Sequence, residues 1–174
     1  DTSKKVHPLS NGWAWLGSEA WRFSLRYDSG WKLEFVLKSV VGSGSCVPTA
    51  TYTLTSPAAL ATGTWIHVAG TYGGSIQRLY VNGKESGTPL SHPNGFCEIP
   101  QEIFIGDSHV LGETLDGRMD EVLVSTRTLA ADEVLALFLG QRPVAVRVHG
   151  ALDSDGIAVR AVARGSSSVR RFSM

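Results

Sequence analysis

Residues 64–84 read TWIHVAGTYGGSIQRLYVNGK. Two runs rich in β-branched and aromatic residues, 64–72 and 75–84, are separated by glycine, and short runs of this kind bounded by turn residues read as strands. Asn82-Gly83 is a hairpin signal, because both residue types tolerate the positive φ that a tight turn requires. Working outward, the same signature recurs at 20–28, 31–40 and 47–55 on one side and at 102–107 and 117–126 on the other. In the first of these, Trp21, Phe23, Leu25 and Tyr27 alternate with Arg22, Ser24, Arg26 and Asp28, which predicts one buried and one wet face. Asp28-Ser29-Gly30 predicts a second hairpin.

One segment reads as helix. In 130–139, AADEVLALFL, the residues Val134, Leu137 and Phe138 fall at i, i+3 and i+4, Asp132 and Glu133 occupy the first turn, and Gly140 stops the run. Many evenly spaced strands with a single short helix predict an all-β fold: a two-sheet antiparallel jelly-roll sandwich with one helix near 130–139.

The chain has 174 residues, 43% of them hydrophobic, with 16 basic and 16 acidic side chains. This composition excludes disordered, collagen-like and coiled-coil architectures, and a chain of this size can bury roughly 70% of its unfolded surface. The zero net charge conceals a division. Residues 1–141 carry 10 basic and 14 acidic groups, whereas 142–174 carry six arginines and two aspartates. Neither part has the strong basic excess and reading element of a nucleic-acid binder. No run approaches the roughly 18 apolar residues of a membrane span, so neither nucleic acid nor membrane insertion is expected. Cys46 and Cys97 fit no clustered metal spacing. The expectation is one disulfide closing a long loop, the alternative two thiols in a reducing compartment, and mass with and without reductant separates them.

Taken in order, Gly63-Thr64-Trp65-Ile66-His67-Val68-Ala69-Gly70-Thr71-Tyr72, Leu79-Tyr80-Val81-Asn82-Gly83-Lys84, Ile105-Gly106-Asp107, Gly117-Arg118-Met119-Asp120-Glu121-Val122 and Leu129-Ala130-Ala131-Asp132-Glu133-Val134 resemble the LamG-like, concanavalin A-like jelly-roll superfamily. The chain departs from that pattern at Ala130, where members commonly have a capping Ser, at Leu115, where an aromatic is common, and at Gly73, where an acidic residue often follows the Tyr. Members usually begin with strands that would precede Asp1. The resemblance therefore divides the chain into a jelly-roll body, 1–141, lacking its usual first strands, and an Arg-rich tail, 142–174. Within the tail, 144–149 and 157–163 alternate as two further strands, and the stretch 146–162 that contains most of them resembles the opening strands of such domains. They are expected either to complete this domain, as in a permuted jelly roll, or to complete a neighbouring one by strand exchange, against the alternative of an unrelated extension.

The acidic residues Asp107, Glu113, Asp116, Asp120 and Glu121 cluster in 107–121. A retaining glycosidase needs two carboxyl groups about 5 Å apart, and adjacent Asp120 and Glu121 should point to opposite sheet faces. The Glu-x-Asp-x-x-Glu strand of related glucanases is missing, so no enzyme is expected and a glycoside hydrolase ranks last. The resemblance implies a Ca²⁺ site at Asp120, whose usual partners are displaced or missing unless Asp155 and Gly156 supply them, and Ca²⁺ takes six to eight oxygens. The competing reading has Asp120 accepting backbone hydrogen bonds at a strand end. His67 lies on a strand where the family also has His and reads as structural. Sugar rings stack on exposed aromatics. Trp13, Trp15 and Trp31 lie beside glycine-containing turns and Tyr72 at a strand end, and Trp15 and Tyr72, with Asp107, Ser108 and His109 on a rim loop, are the candidate ligand contacts. The expected function is non-catalytic recognition outside the cell or at its surface, with a glycan or protein partner. The alternative is a structural subunit or repeat of a larger self-assembling array.

Overall fold

Closely spaced turn residues favour short strands, and in the computed structural model the described residues fold as antiparallel strands with one short helix. The structure describes residues 6–11, 14–15, 18–19, 23–27, 30–39, 50–92, 103–106, 115–140 and 157–162. In chain order these form β1 (Val6–Asn11), β2 (Ala14–Trp15), β3 (Ser18–Glu19), β4 (Phe23–Tyr27), β5 (Lys32–Ser39), β6 (Ala50–Ala59), β7 (His67–Gly73) and β8 (Ile76–Val81). There follow β9 (Lys84–Glu85), β10 (Leu90–Ser91), β11 (Ile103–Ile105), β12 (Asp120–Ser125), α1 (Ala131–Phe138) and β13 (Ile157–Val162).

Two sheets result. The first has the order β11-β1-β4-β5-β6 and the second β10-β8-β7-β13-β12, with β9 also on β8; β2 and β3 pair separately. This is the expected two-layer antiparallel sandwich with a short helix. The tail strand β13 lies inside the second sheet, pairing antiparallel with β7 from Ile157↔Tyr72 to Val162↔His67 and with β12 on its other edge. The 144–149 segment lies outside the described residues. β1 is not among the strands that the sequence pattern predicts, and it sits between β4 and β11 rather than at an edge.

The core fills the space between the sheets. Leu9, Leu25, Leu33, Phe35, Leu37 and Leu54 of the first sheet meet Val68, Tyr72 and Leu79 of the second, each fully buried large side chain contributing about 1.5–3 kcal/mol. The sheets approach most closely where Gly70 on β7 faces Phe35 on β5. A Cβ at position 70 would lie 2.7 Å from the ring, well inside the roughly 3.5–4.0 Å optimum between carbons. A polar cross-link also joins the sheets, for the Gln77 side-chain N–H₂ donates to the Phe35 carbonyl at 2.6 Å with Gln77 wholly buried. That bond offsets the desolvation of the NH₂ group, whereas the Gln77 Oε1 is buried with no hydrogen-bond partner among the described residues.

The outer face of the second sheet is covered by α1. Ala69, Tyr80, Leu129, Val134 and Leu137 form a second cluster there, so β7 is buried on both faces. His67 is 2% exposed and packs its ring 5.7 Å from that of Phe138, in line with a structural role. The predicted Asn82-Gly83 turn is present, with φ 49° and 75°. The Asn82 side-chain oxygen also accepts the His67 backbone N–H at 3.0 Å while the Asn82 N–H donates to the His67 carbonyl at 2.8 Å. The turn is thereby tied to the first residue of β7.

At the helix start Ala130 has the extended backbone of an N-cap (φ −72°, ψ 163°) but no side-chain acceptor. The reciprocal half of the cap survives: Glu133 accepts the Ala130 N–H at 2.9 Å. Arg127 holds that carboxylate in place with two bonds of 2.8 and 2.7 Å, the bidentate geometry favoured by guanidinium. The Glu133 carboxyl is consequently held below its ordinary value, chiefly by the Arg127 hydrogen bond.

The expected wet face of the first sheet is not wet at Arg26. Arg26 and Glu34 stand directly opposite on β4 and β5, bonded at 2.6 Å, and both residues are 8% exposed, as is Lys38. Opposite charges at a cross-strand pair neutralise one another, which permits a burial that simple alternation does not anticipate.

Candidate functional site

The hairpin predicted at Asp28-Ser29-Gly30 ends at Trp31, and the structure places a strained backbone there. Trp31 has φ 58°, the left-handed region that bulky residues avoid and that costs on the order of 1–3 kcal/mol. Its carbonyl accepts the Leu60 N–H at 2.9 Å, which pins the turn against the end of β6. The indole projects outward and is 47% exposed. Tyr27, one strand end away, lies with its ring 6.3 Å from that of Trp31 at an interplanar angle of 52°; burial pushes the Tyr27 hydroxyl above its usual range.

Trp31 and Tyr27 form one wall of a cleft of about 510 Å³ at the end of the sandwich. The β6–β7 connection supplies the second wall. There Gly63, at φ 72°, makes the bend that carries the chain from Leu60 to the half-buried Trp65 and Ile66. The approach to β12 supplies the third through Leu115, Asp116, Gly117, Arg118 and Met119. Val68 and Pro8 lie among the lining residues where the sheets meet. The volume falls in the range of small-ligand sites, and the composition fits one: apolar and aromatic walls with a carboxylate and a guanidinium, Asp116 and Arg118, both exposed.

Of the sequence-derived ligand candidates, Tyr72 is described with its side chain, and it is not among the residues that line this cleft. Tyr72 is a core residue, 5% exposed, whose hydroxyl donates to the His92 carbonyl at 3.1 Å and whose ring stands edge-on to that of His92 at 4.9 Å. Its face is closed to a ligand, and alternation alone does not show which side of β7 turns inward. Burial lowers the His92 imidazole and raises the Tyr72 hydroxyl from their ordinary values. Trp15 belongs to the separate β2–β3 pair. Asp107, Ser108 and His109 lie outside the described residues, as do Cys46 and Cys97.

Asp120 opens β12, exposed, and its side-chain oxygen accepts the N–H of Glu121 at 2.8 Å. This is the bond of the competing, non-metal reading. Glu121 has φ 51° and the β12–β13 register shifts between Asp120 and Leu123, so the strict two-face alternation expected of Asp120 and Glu121 does not hold, and both are exposed. Asp155 and Gly156 lie outside the described residues. Among the described residues no three His, Cys, Asp or Glu side chains are grouped to hold a metal ion. Asp120 is thus the one proposed Ca²⁺ ligand whose place the structure describes.

The cleft aromatics are partly visible in the sequence. Trp31 stands out for its place after Gly30, but Trp65 reads only as part of a strand, because its position at the entrance to β7 depends on the fold of the 60–66 connection.

Comparison with known proteins adds the following. The family model described as the concanavalin A-like lectin/glucanases superfamily matches residues 6–135. No curated protein gives a significant match. Among solved structures the chain is similar to an S-layer domain-containing protein (residues 221–444) from Clostridium thermocellum ATCC 27405, at 27% identity and a TM-score of 0.40, covering 79% of this chain and 64% of that one. The chain thus spans less than two thirds of that structure's length.

Proposed function

Because the chain belongs to the concanavalin A-like lectin/glucanase superfamily, we propose that it is a non-catalytic recognition module, acting outside the cytoplasm, that binds a saccharide in the cleft beside Trp31. The observation that carries this reading is the Trp31 indole, held half-exposed on a strained turn at the mouth of a cleft of about 510 Å³. A pyranose ring offers an apolar face of C–H groups that can stack on an indole, while its hydroxyls need donors and acceptors at the rim. Arg118 and Asp116 are positioned to supply them.

Asp116 is the one carboxylate among the described lining residues of the cleft, and the non-catalytic part of the reading rests on the missing Glu-x-Asp-x-x-Glu strand, since acid–base cleavage of a glycosidic bond uses a pair of carboxyl groups. A second reading, a subunit of a larger assembly, draws on a different observation, namely that β13 lies outside the matched segment 6–135 yet inside the second sheet.

The test is a glycan array probed with the wild-type chain and with Trp31→Ala and Trp31→Gly. Binding should weaken at least about 10-fold in both variants, as for the loss of a central aromatic anchor. Trp31→Gly relieves the backbone strain and so separates loss of binding from loss of fold, which circular dichroism checks. Wild-type binding unchanged by either substitution, or no glycan bound at all, overturns the proposal.

A further inference from the structure

The strand that completes the second sheet is attached to the molecule differently from its neighbours. β12 pairs with β13 and with no other described strand, so β13 alone joins β12 to the rest of the sheet. On its other edge β13 runs beside β7 through six consecutive register pairs, from Ile157↔Tyr72 to Val162↔His67. The segment matched by the family model ends at residue 135. The family-defined part of the chain therefore contains a slot between two strands, and the filler comes from outside it.

We propose that this slot is a self-association site: it accepts residues 157–162 from a second copy of the chain, so that copies are joined by exchanging β13. This extends the assembly reading and does not depend on saccharide binding at the cleft. Three features carry it. Backbone pairing and register specify the filler by its sequence, and a second copy presents the same sequence, so the filled slot is chemically identical whichever chain supplies the strand. The slot has unpaired edges on both sides when vacant, and open edges recruit strands. Finally, the connection is long enough. Sixteen residues, 141–156, separate the end of the helix region from β13, a contour of up to about 56 Å, whereas a 174-residue domain is on the order of 40 Å across. Reciprocal exchange gives a closed dimer; donation to the next copy in turn gives an open chain.

The register supplies the assay. Ser125 and Ala158 are direct partners on β12 and β13, and facing strand positions lie within the Cα separation that a disulfide bridges. The full chain carrying Ser125→Cys is mixed with the full chain carrying Ala158→Cys, concentrated, oxidised, and examined by non-reducing electrophoresis with mass mapping of the linkage. A covalent heterodimer joined through 125 and 158, increasing with protein concentration, is the expected result. The double variant S125C/A158C should in parallel convert from bridged monomer to bridged dimer as concentration rises. Bridged monomer at every concentration, with no 125–158 heterodimer in the mixture, overturns the proposal. If either cysteine variant fails to fold by circular dichroism, the test moves to the full chain carrying V159P/A161P, whose own strand cannot pair. A synthetic 155–164 peptide should then bind it and raise its melting temperature, and absence of binding overturns the proposal equally. Glycan-array results are unaffected by these outcomes, so the two readings fail separately.

Discussion

Replacing Gly70 with alanine adds one methyl group at the point where the sheets are closest. Two opposing effects set the sign. Gly70 has no positive φ, so a side chain there is conformationally acceptable, and Gly→Ala in such a setting stabilises by about 0.4–1 kcal/mol through the unfolded chain. Against this, the new Cβ meets three atoms of the Phe35 ring at 2.7–2.8 Å, so the ring and strand must separate by about 1 Å to restore ordinary contact. Phe35 is wholly buried, and Gln77 bonds to the carbonyl of the same residue, which leaves little slack. Overpacking of this kind costs about 1–3 kcal/mol, so the steric cost outweighs the entropic gain. The expected outcome is a net loss of about 1–2 kcal/mol in urea unfolding followed by tryptophan fluorescence, or a fall in Tm of roughly 2–8 °C. Phe35→Leu should relieve the clash, so that the double variant G70A/F35L is more stable than the sum of the singles predicts by at least about 0.5 kcal/mol. A Gly70→Ala chain as stable as the parent, or strict additivity in the cycle, would refute the reasoning.

Two further substitutions probe the helix start. Ala130→Ser restores the missing half of the cap on a backbone already suited to it, and should stabilise by about 1 kcal/mol, read as a higher urea midpoint; no change would mean that the Ala130 N–H bond to Glu133 already suffices. Glu133→Gln removes the charge held by Arg127. The folded carboxyl titrates below its ordinary value, so its contribution is present above the unfolded value near 4.5 and is lost as the pH falls through the folded one. With Arg127 half-exposed, the variant should be weaker than the parent by no more than about 1 kcal/mol at neutral pH, with the difference vanishing toward strong acid; a pH-independent difference would contradict this.

Much of the sandwich is legible because short-range patterns record it. β4, β5, β8, β11 and β12 fall within the segments that alternation and turn residues mark, β7 overruns its segment by one residue at Gly73, and Asn82-Gly83 does what its residue types require. β1 escapes because Pro8 and Ser10 interrupt the apolar alternation, although both are buried in place. β6 runs on to Ala59 through Pro57, a residue that argues against a central strand but is accommodated on an edge strand such as this one. The tail reads correctly as strand over 157–162, but its place between β7 and β12 is a long-range pairing, and nothing local specifies the neighbours of a strand. The candidate site is less accessible for the same reason. Tyr72 and Trp31 are both aromatics near turns, and what distinguishes them is that the pleat turns one inward while a left-handed backbone turns the other out.

The Gln77 amide lends the cleft its dimensions. Leucine and phenylalanine side chains grip one another over a range of offsets, and two sheets held only by such contacts can slide by fractions of an ångström with little penalty. A buried hydrogen bond to a single carbonyl has one good position and strands a polar group at any other. Gln77 therefore acts as a stop that indexes one sheet against the other. Trp31 and Leu60 ride at the end of the first sheet while Trp65 and the 115–119 stretch ride with the second, so the gap between them is fixed by a contact in the molecule's interior. Selectivity for the width of a ligand would then be tuned from within the core, without altering any residue that touches it.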